Sequence, residues 1–286
     1  MYCINFVFLV FLSIQCNSFH LNYLKKIKNN IKFFITILPL SINAIDYNSF
    51  IEDDNGHKYE TVSFLGEGGS GTVYLARESS TKFNSNDKYV LKISHGNPKG
   101  VQNECKILNY FESSLNTKYY KNGVPKCICE VNNIHLSPLK NNKNGVDTAI
   151  VMKPYFDNPS STFDSLKSTS IREKAVTRFI DIVADLLKTG IVSTDLQPLI
   201  DSNTGEVLLI DFSEAKLLSL SETNLSSIDE LSIQAFLSEA LSIIPSDSET
   251  QHKARQQLQQ RMNVKEKEGK ETKINPKIYQ RLLEES

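Results

Sequence analysis

The stretch Leu65-Gly66-Glu67-Gly68-Gly69-Ser70-Gly71-Thr72-Val73-Tyr74-Leu75-Ala76 decides how this chain is read. Gly66, Gly68 and Gly71 have G-x-G-x-x-G spacing. In a dinucleotide-binding fold that spacing joins a strand to a helix. Here Thr72-Val73-Tyr74-Leu75-Ala76 follows, β-branched and aromatic, so the glycines join two strands, the first over Thr61–Leu65. Glycines in such a turn let backbone amides approach phosphate oxygens closely; the plain alternative is a Gly-rich hairpin.

A third strand is predicted at Tyr89–Ile93, after the polar connection of residues 77–88. Apolar residues at 101, 105, 107, 108 and 111 predict a helix over Val101–Leu115. Val124–Val131 and Thr148–Met152 read as strands around a polar loop. The pattern then changes. Ile171–Lys188 is strongly helical and Gly190 stands just past its end. Pro198–Ile200 and Val207–Ile210 flank a turn and predict a small hairpin, and Ile228–Ile244 is a second striped helix. Residues 248–286 are charged and Gln-rich, read as a surface helix with a mobile tail. Strands with one helix, then mainly helices, point to a two-lobed α+β domain.

Lys92 ends the third strand, where a solvated charge is the ordinary reading of a Lys. Glu104 on the next helix is the obvious carboxylate to hold it. Asp195 follows the long helix, and Asp211 ends the apolar run Leu208-Leu209-Ile210. An Asp leaving a buried strand is more than a loop charge.

This set resembles the eukaryotic-type protein kinase superfamily over roughly residues 56–243. The resemblance implies a two-lobed protein-kinase-like fold: a small, mainly antiparallel β N-lobe with one helix, and a reduced, mainly helical C-lobe. It implies ATP and Mg²⁺ as cofactors. Leu65, Gly66, Gly68, Gly71 and Val73 would form the nucleotide loop, Lys92 would pair with Glu104, and Met152-Lys153-Pro154-Tyr155 would be the hinge. Asp195 would be the catalytic-loop Asp, and Asp211 the metal-binding Asp before Phe212. Asp229 is either the buried Asp that braces the catalytic loop or a simple helix N-terminal acid.

The departures from the family are equally specific. The His-Arg before the catalytic Asp is Ser193-Thr194. The Lys two residues after it is Gln197. The metal-binding Asn is Ile200, which cannot ligate Mg²⁺. The Gly after Asp-Phe is Ser213. Asp201 and Asn203 are substitute ligands in principle, but both fall in the hairpin turn. Only 17 residues lie between Asp211 and Asp229, without Ala-Pro-Glu, which leaves little room for a segment that docks a protein substrate.

The whole chain has 286 residues, 32 basic and 33 acidic, so it is no polybasic nucleic-acid binder. Five Cys are no disulfide framework, and Cys127 and Cys129, two apart on a strand, read as small core residues on one face. Residues 1–45 hold four Lys and no acid. Ile4–Ile14 has signal-core length, with Cys16 and Ser18 placed for cleavage before Phe19, although no Lys or Arg precedes it. An acid-free basic stretch and a second apolar patch near Phe33–Leu40 follow. This leader resembles the bipartite presequences of algae with secondary plastids, and a retained N-terminal anchor is the alternative.

The expected organisation is a leader (1–45), an N-lobe (46–153), a reduced C-lobe (154–247) and a charged C-terminal helix and tail (248–286). The leader implies the secretory route, with a plastid as a candidate destination, and membrane contact only through it. Three functions compete. One is an ATP-dependent kinase acting on a protein Ser/Thr or a small hydroxyl compound. The second is a pseudokinase scaffold, favoured by Gln197 and Ile200. The third is a membrane-tethered structural protein.

Overall fold

The computed structural model divides the chain into two units, Met1–Ala44 and Ile45–Ser286. It describes residues 50–53, 55–79, 88–94, 98–114, 123–132, 148–153, 156–157, 159–218, 225–263 and 281–284, all in the second unit. The expected leader (1–45), the expected hinge residues Pro154 and Tyr155, and the stretch after 263 up to 280 lie outside the described residues. Among the described residues no helix is long and apolar enough to cross a membrane.

The N-terminal part is a six-stranded antiparallel sheet. Its strands are β1 (Phe50–Glu52), β2 (Lys58–Glu67), β3 (Gly71–Glu78), β4 (Lys88–Ser94), β5 (Lys126–Asn132) and β6 (Thr148–Lys153). The spatial order is β1-β2-β3-β4-β6-β5. The glycine-rich turn joins two paired strands, because Thr72–Ala76 supplies the β-branched and aromatic residues that a half-buried pleated surface favours. Helix α1 (Pro98–Ser114) crosses one face and buries Val101, Cys105, Ile107, Leu108 and Phe111.

The remainder is mainly helical. Helix α2 (Thr169–Thr189) starts at Ser168, whose hydroxyl accepts the Ile171 N–H, and ends at Gly190, with φ 82°. It is buried on most sides, with Phe179, Ile180, Val183, Leu186 and Leu187 all at 0% exposure. Two-residue strands β7 (Ile191–Val192) and β10 (Lys216–Leu217) pair with each other, as do β8 (Gln197–Ile200) and β9 (Val207–Ile210). Helices α3 (Ser227–Ile243) and α4 (Ser248–Asn263) complete this lobe. One core runs from α1 and the sheet residues Ile150 and Met152 through α2, α3 and α4. A smaller one covers the opposite face of the sheet at Tyr59, Tyr74, Leu91 and Val151.

One sequence expectation needs correction. Cys127 and Cys129 do not share a face. Cys127 pairs with Met152 and Cys129 with Val151, so two strand steps on β5 oppose one on β6. That β-bulge at Ile128 puts Cys127 in the main core and Cys129 against the smaller one. Cys127 is moreover bonded to Cys105. Of the two readings of Asp229, the structure supports the helix N-terminal acid: Ser226 caps α3, its Oγ accepting the Asp229 N–H at 3.1 Å and donating to Asp229 Oδ2 at 2.7 Å. The Ser226 hydroxyl is the N-cap, and the Asp229 carboxylate in the first turn faces the positive end of the helix dipole. Helix α4 lies at the surface with one side packed: Ala254, Leu258 and Met262, four residues apart, are buried.

Candidate functional site

Lys92 lies on an interior strand, opposite Val73 of β3 and Ile150 of β6. Residues directly opposite share a sheet face, here the face covered by α1. Lys92 is 4% exposed and Glu104, on α1, is 1% exposed. Lys92 Nζ donates to Glu104 Oε2 at 2.7 Å and to Asp211 Oδ1 at 2.7 Å. Glu104 Oε1 accepts the Phe212 N–H at 3.3 Å. One ammonium is thus shared by two carboxylates contributed by a helix and by the end of β9.

Burial sets the electrostatics and the partners answer it. Burial pulls Lys92 down, but Glu104 and Asp211 outweigh it and hold the ammonium above its ordinary value. Burial pushes the Glu104 carboxyl up, against the pull of Lys92. Burial also pushes Asp211 up, but hydrogen bonds from Lys92 and Ser213 prevail and hold it below the usual carboxylate range. The Ser213 hydroxyl donates to Asp211 Oδ1 at 2.7 Å, so Ser in place of Gly adds a bond to this carboxylate.

Asp211 has φ 62°, a left-handed conformation that costs a non-glycine residue about 1 kcal/mol or more. The segment after it is fixed to α1. Asn103 Nδ2 donates to the carbonyls of Ser213 at 3.0 Å and Ala215 at 2.9 Å. Gly100 packs against Ser213 and Ser70; a Cβ there would stand 3.4 Å from the Ser213 Cβ.

Asp195 is exposed in the loop between β7 and β8. Its carboxylate accepts from Gln197 Nε2 at 3.1 Å, so Gln197 orients Asp195. Asp195 and Asp211 line one cleft of about 620 Å³, together with Gly69 and Ser70 of the glycine turn and Lys99 and Gly100 of α1. Both side-chain bonds to Asp211 fall on Oδ1. Among the described residues no three His, Cys, Asp or Glu form a metal cage. Ile200 is fully buried. Asp201 closes its own turn, accepting the Asn203 and Thr204 N–H groups, and does not line the cleft.

The glycines divide into two kinds. A Cβ on Gly71 would collide with the Ile93 carbonyl oxygen, whereas one on Gly66, Gly68 or Gly69 would meet nothing within 4 Å. Gly71→Ala should therefore cost about 1–3 kcal/mol, and Gly68→Ala less than about 0.5 kcal/mol. Thermal melts of the two variants would check this; equal losses would mean that the turn packs differently. Leu65 is 40% exposed at a bulge in β2, and Val73 is half-buried on the Lys92 face. Met152 is buried in the core under α1. None of these three lines the cleft described above. Sequence reading missed Lys99, Gly100 and Asn103: the first two precede the predicted helix, which in fact starts at Pro98, and Asn103 had only its place beside Glu104 as a signal.

No protein-family model matches the chain, and no curated protein sequence does. Solved structures do. The crystal structure of the BubR1 kinase domain superimposes with a TM-score of 0.52 at 13% identity, covering 94% of this chain and 93% of that one. Vaccinia-related kinase 3 gives a TM-score of 0.44 at 14% identity, covering 77% of each chain. The Cydia pomonella granulovirus kinase PK-1 gives 0.45 at 16% identity, covering 78% of each. At such identities likeness establishes architecture and not activity. The antiparallel β lobe with one helix, joined to a reduced helical lobe, is a protein-kinase-like fold.

Proposed function

We propose that this chain is an ATP-binding, protein-kinase-like phosphotransferase that moves the ATP γ-phosphate to a protein Ser/Thr or another hydroxyl acceptor. The observation that carries the reading is Lys92, buried between Glu104 and Asp211 beside a cleft that the glycine turn borders. In this reading Lys92 meets the α- and β-phosphates, held in reach by Glu104. The turn of Gly66, Gly68 and Gly71 offers backbone amides to phosphate oxygens, and Val73 covers the base. Asp211 would hold Mg²⁺, which neutralises charge on the phosphates. Asp195, oriented by Gln197, accepts the proton of the acceptor hydroxyl or positions it. The cleft volume falls within the ordinary range for small-ligand sites.

A second reading has its own support. Gln197 brings no cation, and buried Ile200 brings no metal ligand. Both favour a pseudokinase that binds nucleotide and regulates a partner. For location, our proposal follows the leader: secretory entry, with a plastid as destination. The buried Cys105–Cys127 cystine supports an oxidising compartment on the route.

γ-Phosphate transfer and ATP hydrolysis, assayed with Mg²⁺ and with Mn²⁺ beside Asp211→Ala, separate the two functions. The enzyme reading expects turnover that falls at least ~100-fold in the variant. Nucleotide binding without turnover would establish the pseudokinase. No binding at all would end both.

A further inference from the structure

Three consecutive residues of α1 anchor it in three directions. Asn103 holds the carbonyls of the segment after Asp211. Glu104 holds Lys92 and the Phe212 N–H. Cys105 is bonded through sulfur to Cys127 of β5, with a Cα–Cα distance of 5.4 Å. Strand β5 pairs with β6, and β6 pairs with β4 opposite Lys92. A covalent bridge therefore runs from the residue after Glu104 to the sheet that carries Lys92, across a sequence separation of 22.

Among the described residues this helix has little local support. No acid stands in its first turn and no base in its last, so none of them complements its dipole there. It carries Gly100, Asn103 and Asn109, all poor helix formers. Its ion pair to Lys92 is buried, and buried pairs add little net stability.

We propose that the Cys105–Cys127 cystine is a positioning element of the candidate site: it fixes α1 so that Glu104 and Asn103 meet Lys92 and the segment after Asp211, and its reduction uncouples them. A dithiol supplies the electrons. One of its thiolates attacks a cystine sulfur and forms a mixed disulfide while the other cysteine leaves as thiolate. The second thiol then displaces the remaining cysteine and leaves as a cyclic disulfide. Two protons end on Cys105 and Cys127. Both half-cystines are about 5% exposed or less, so attack follows an opening of α1 from β5. Cys129 is no internal attacker, because the bulge at Ile128 turns it to the opposite face, against Tyr59.

The nucleotide readout rests on the reading proposed above; a second readout does not. The full chain is purified without reductant, and its free thiols are counted by alkylation and mass spectrometry. Affinity for a fluorescent ATP analogue is then measured before and after dithiothreitol, at a temperature where both forms are folded. Hydrogen exchange of residues 98–114 and of the Phe212 amide is followed in parallel. Reduction should weaken binding about tenfold, within the usual range for coupled sites, and deprotect both regions. Re-oxidation should restore them. Cys105→Ser/Cys127→Ser should behave as the reduced protein and ignore dithiothreitol, while Cys129→Ser should respond like the parent. Three results would each overturn the proposal: a reduced Cys105–Cys127 pair in the purified chain, α1 exchange that ignores reduction, or an equal reductant response in the double variant. If neither form binds nucleotide, the functional reading fails and the exchange data alone decide this one.

Discussion

Lys92→Met should lower folding stability by about 3–5 kcal/mol at pH 7, because it leaves two carboxylates facing each other without their shared cation. Glu104 is 1% exposed and cannot turn to water, and the Asp211 side chain is 20% exposed. The deficit should depend on pH with a definite sign. Glu104 already titrates above its ordinary 4.5 because it is buried, and loss of Lys92 pushes it higher. A raised folded pKa favours the folded state at low pH. That advantage is lost as pH rises through the folded value. The gap between parent and variant should therefore be smallest below pH 4.5 and widen above it. In the parent, Lys92 is raised above 10.5. Its contribution is complete below that pH and fades only at stronger alkali. Denaturant unfolding from pH 4 to 8 measures this. Lys92→Met/Glu104→Gln should recover part of the loss, since it removes the stranded charge. A deficit under 1 kcal/mol that ignores pH would mean that the three side chains are not packed as described.

Local patterns made most of the N-lobe legible before any coordinates. The β-branched run after Gly71 separated a strand from a helix, and the apolar run Tyr89–Ile93 placed Lys92 at the end of a third strand. The partners of Lys92 lie 12 and 119 residues away. Spacing along the chain says nothing about such distances: the apolar run before Asp211 marked that residue, and only the fold shows it bonded to Lys92. What stayed hidden shares one cause: it depends on a neighbour that sequence does not show. A period of two puts Cys127 and Cys129 on one face, and only the pairing partner β6 reveals the extra residue that separates them. Cys105 reads as one apolar position in a stripe until β5 lies beneath it. Asp229 kept two readings in the sequence, and the Ser226 cap that favours the helix-end one is seen only when α3 is in place.

A chain ended after Asp247 should fail to fold cooperatively, although the removed part reads as charged and Gln-rich. Its composition describes the outer face of α4, whereas stability is decided by the inner one. Leu258 is at 0% exposure, Met262 at 2%, Leu282 at 1% and Leu283 at 6%. At about 1.5–3 kcal/mol for each large apolar side chain, these four represent roughly 6–12 kcal/mol, as large as the whole stability of an ordinary domain. Polar contacts add specificity. Gln257 Nε2 donates to the Thr177 carbonyl at 2.9 Å and to Asp181 Oδ1 at 3.0 Å, and Arg261 pairs with Asp181 at 2.9 Å. Arg255 reaches the Leu283 carbonyl at 3.0 Å, and Arg281 pairs with Glu230 of α3 at 2.7 Å. The truncated chain should show a broad melt and bind ANS, because it exposes the α2 face that α4 covers. Leu258→Ala in the full chain is the milder test, with an expected loss of about 2–5 kcal/mol. A sharp melt for the truncation, within a few degrees of the parent, would make residues 248–286 a dispensable appendage. The lobe beneath α2, α3 and the β8–β9 hairpin would then be complete without them.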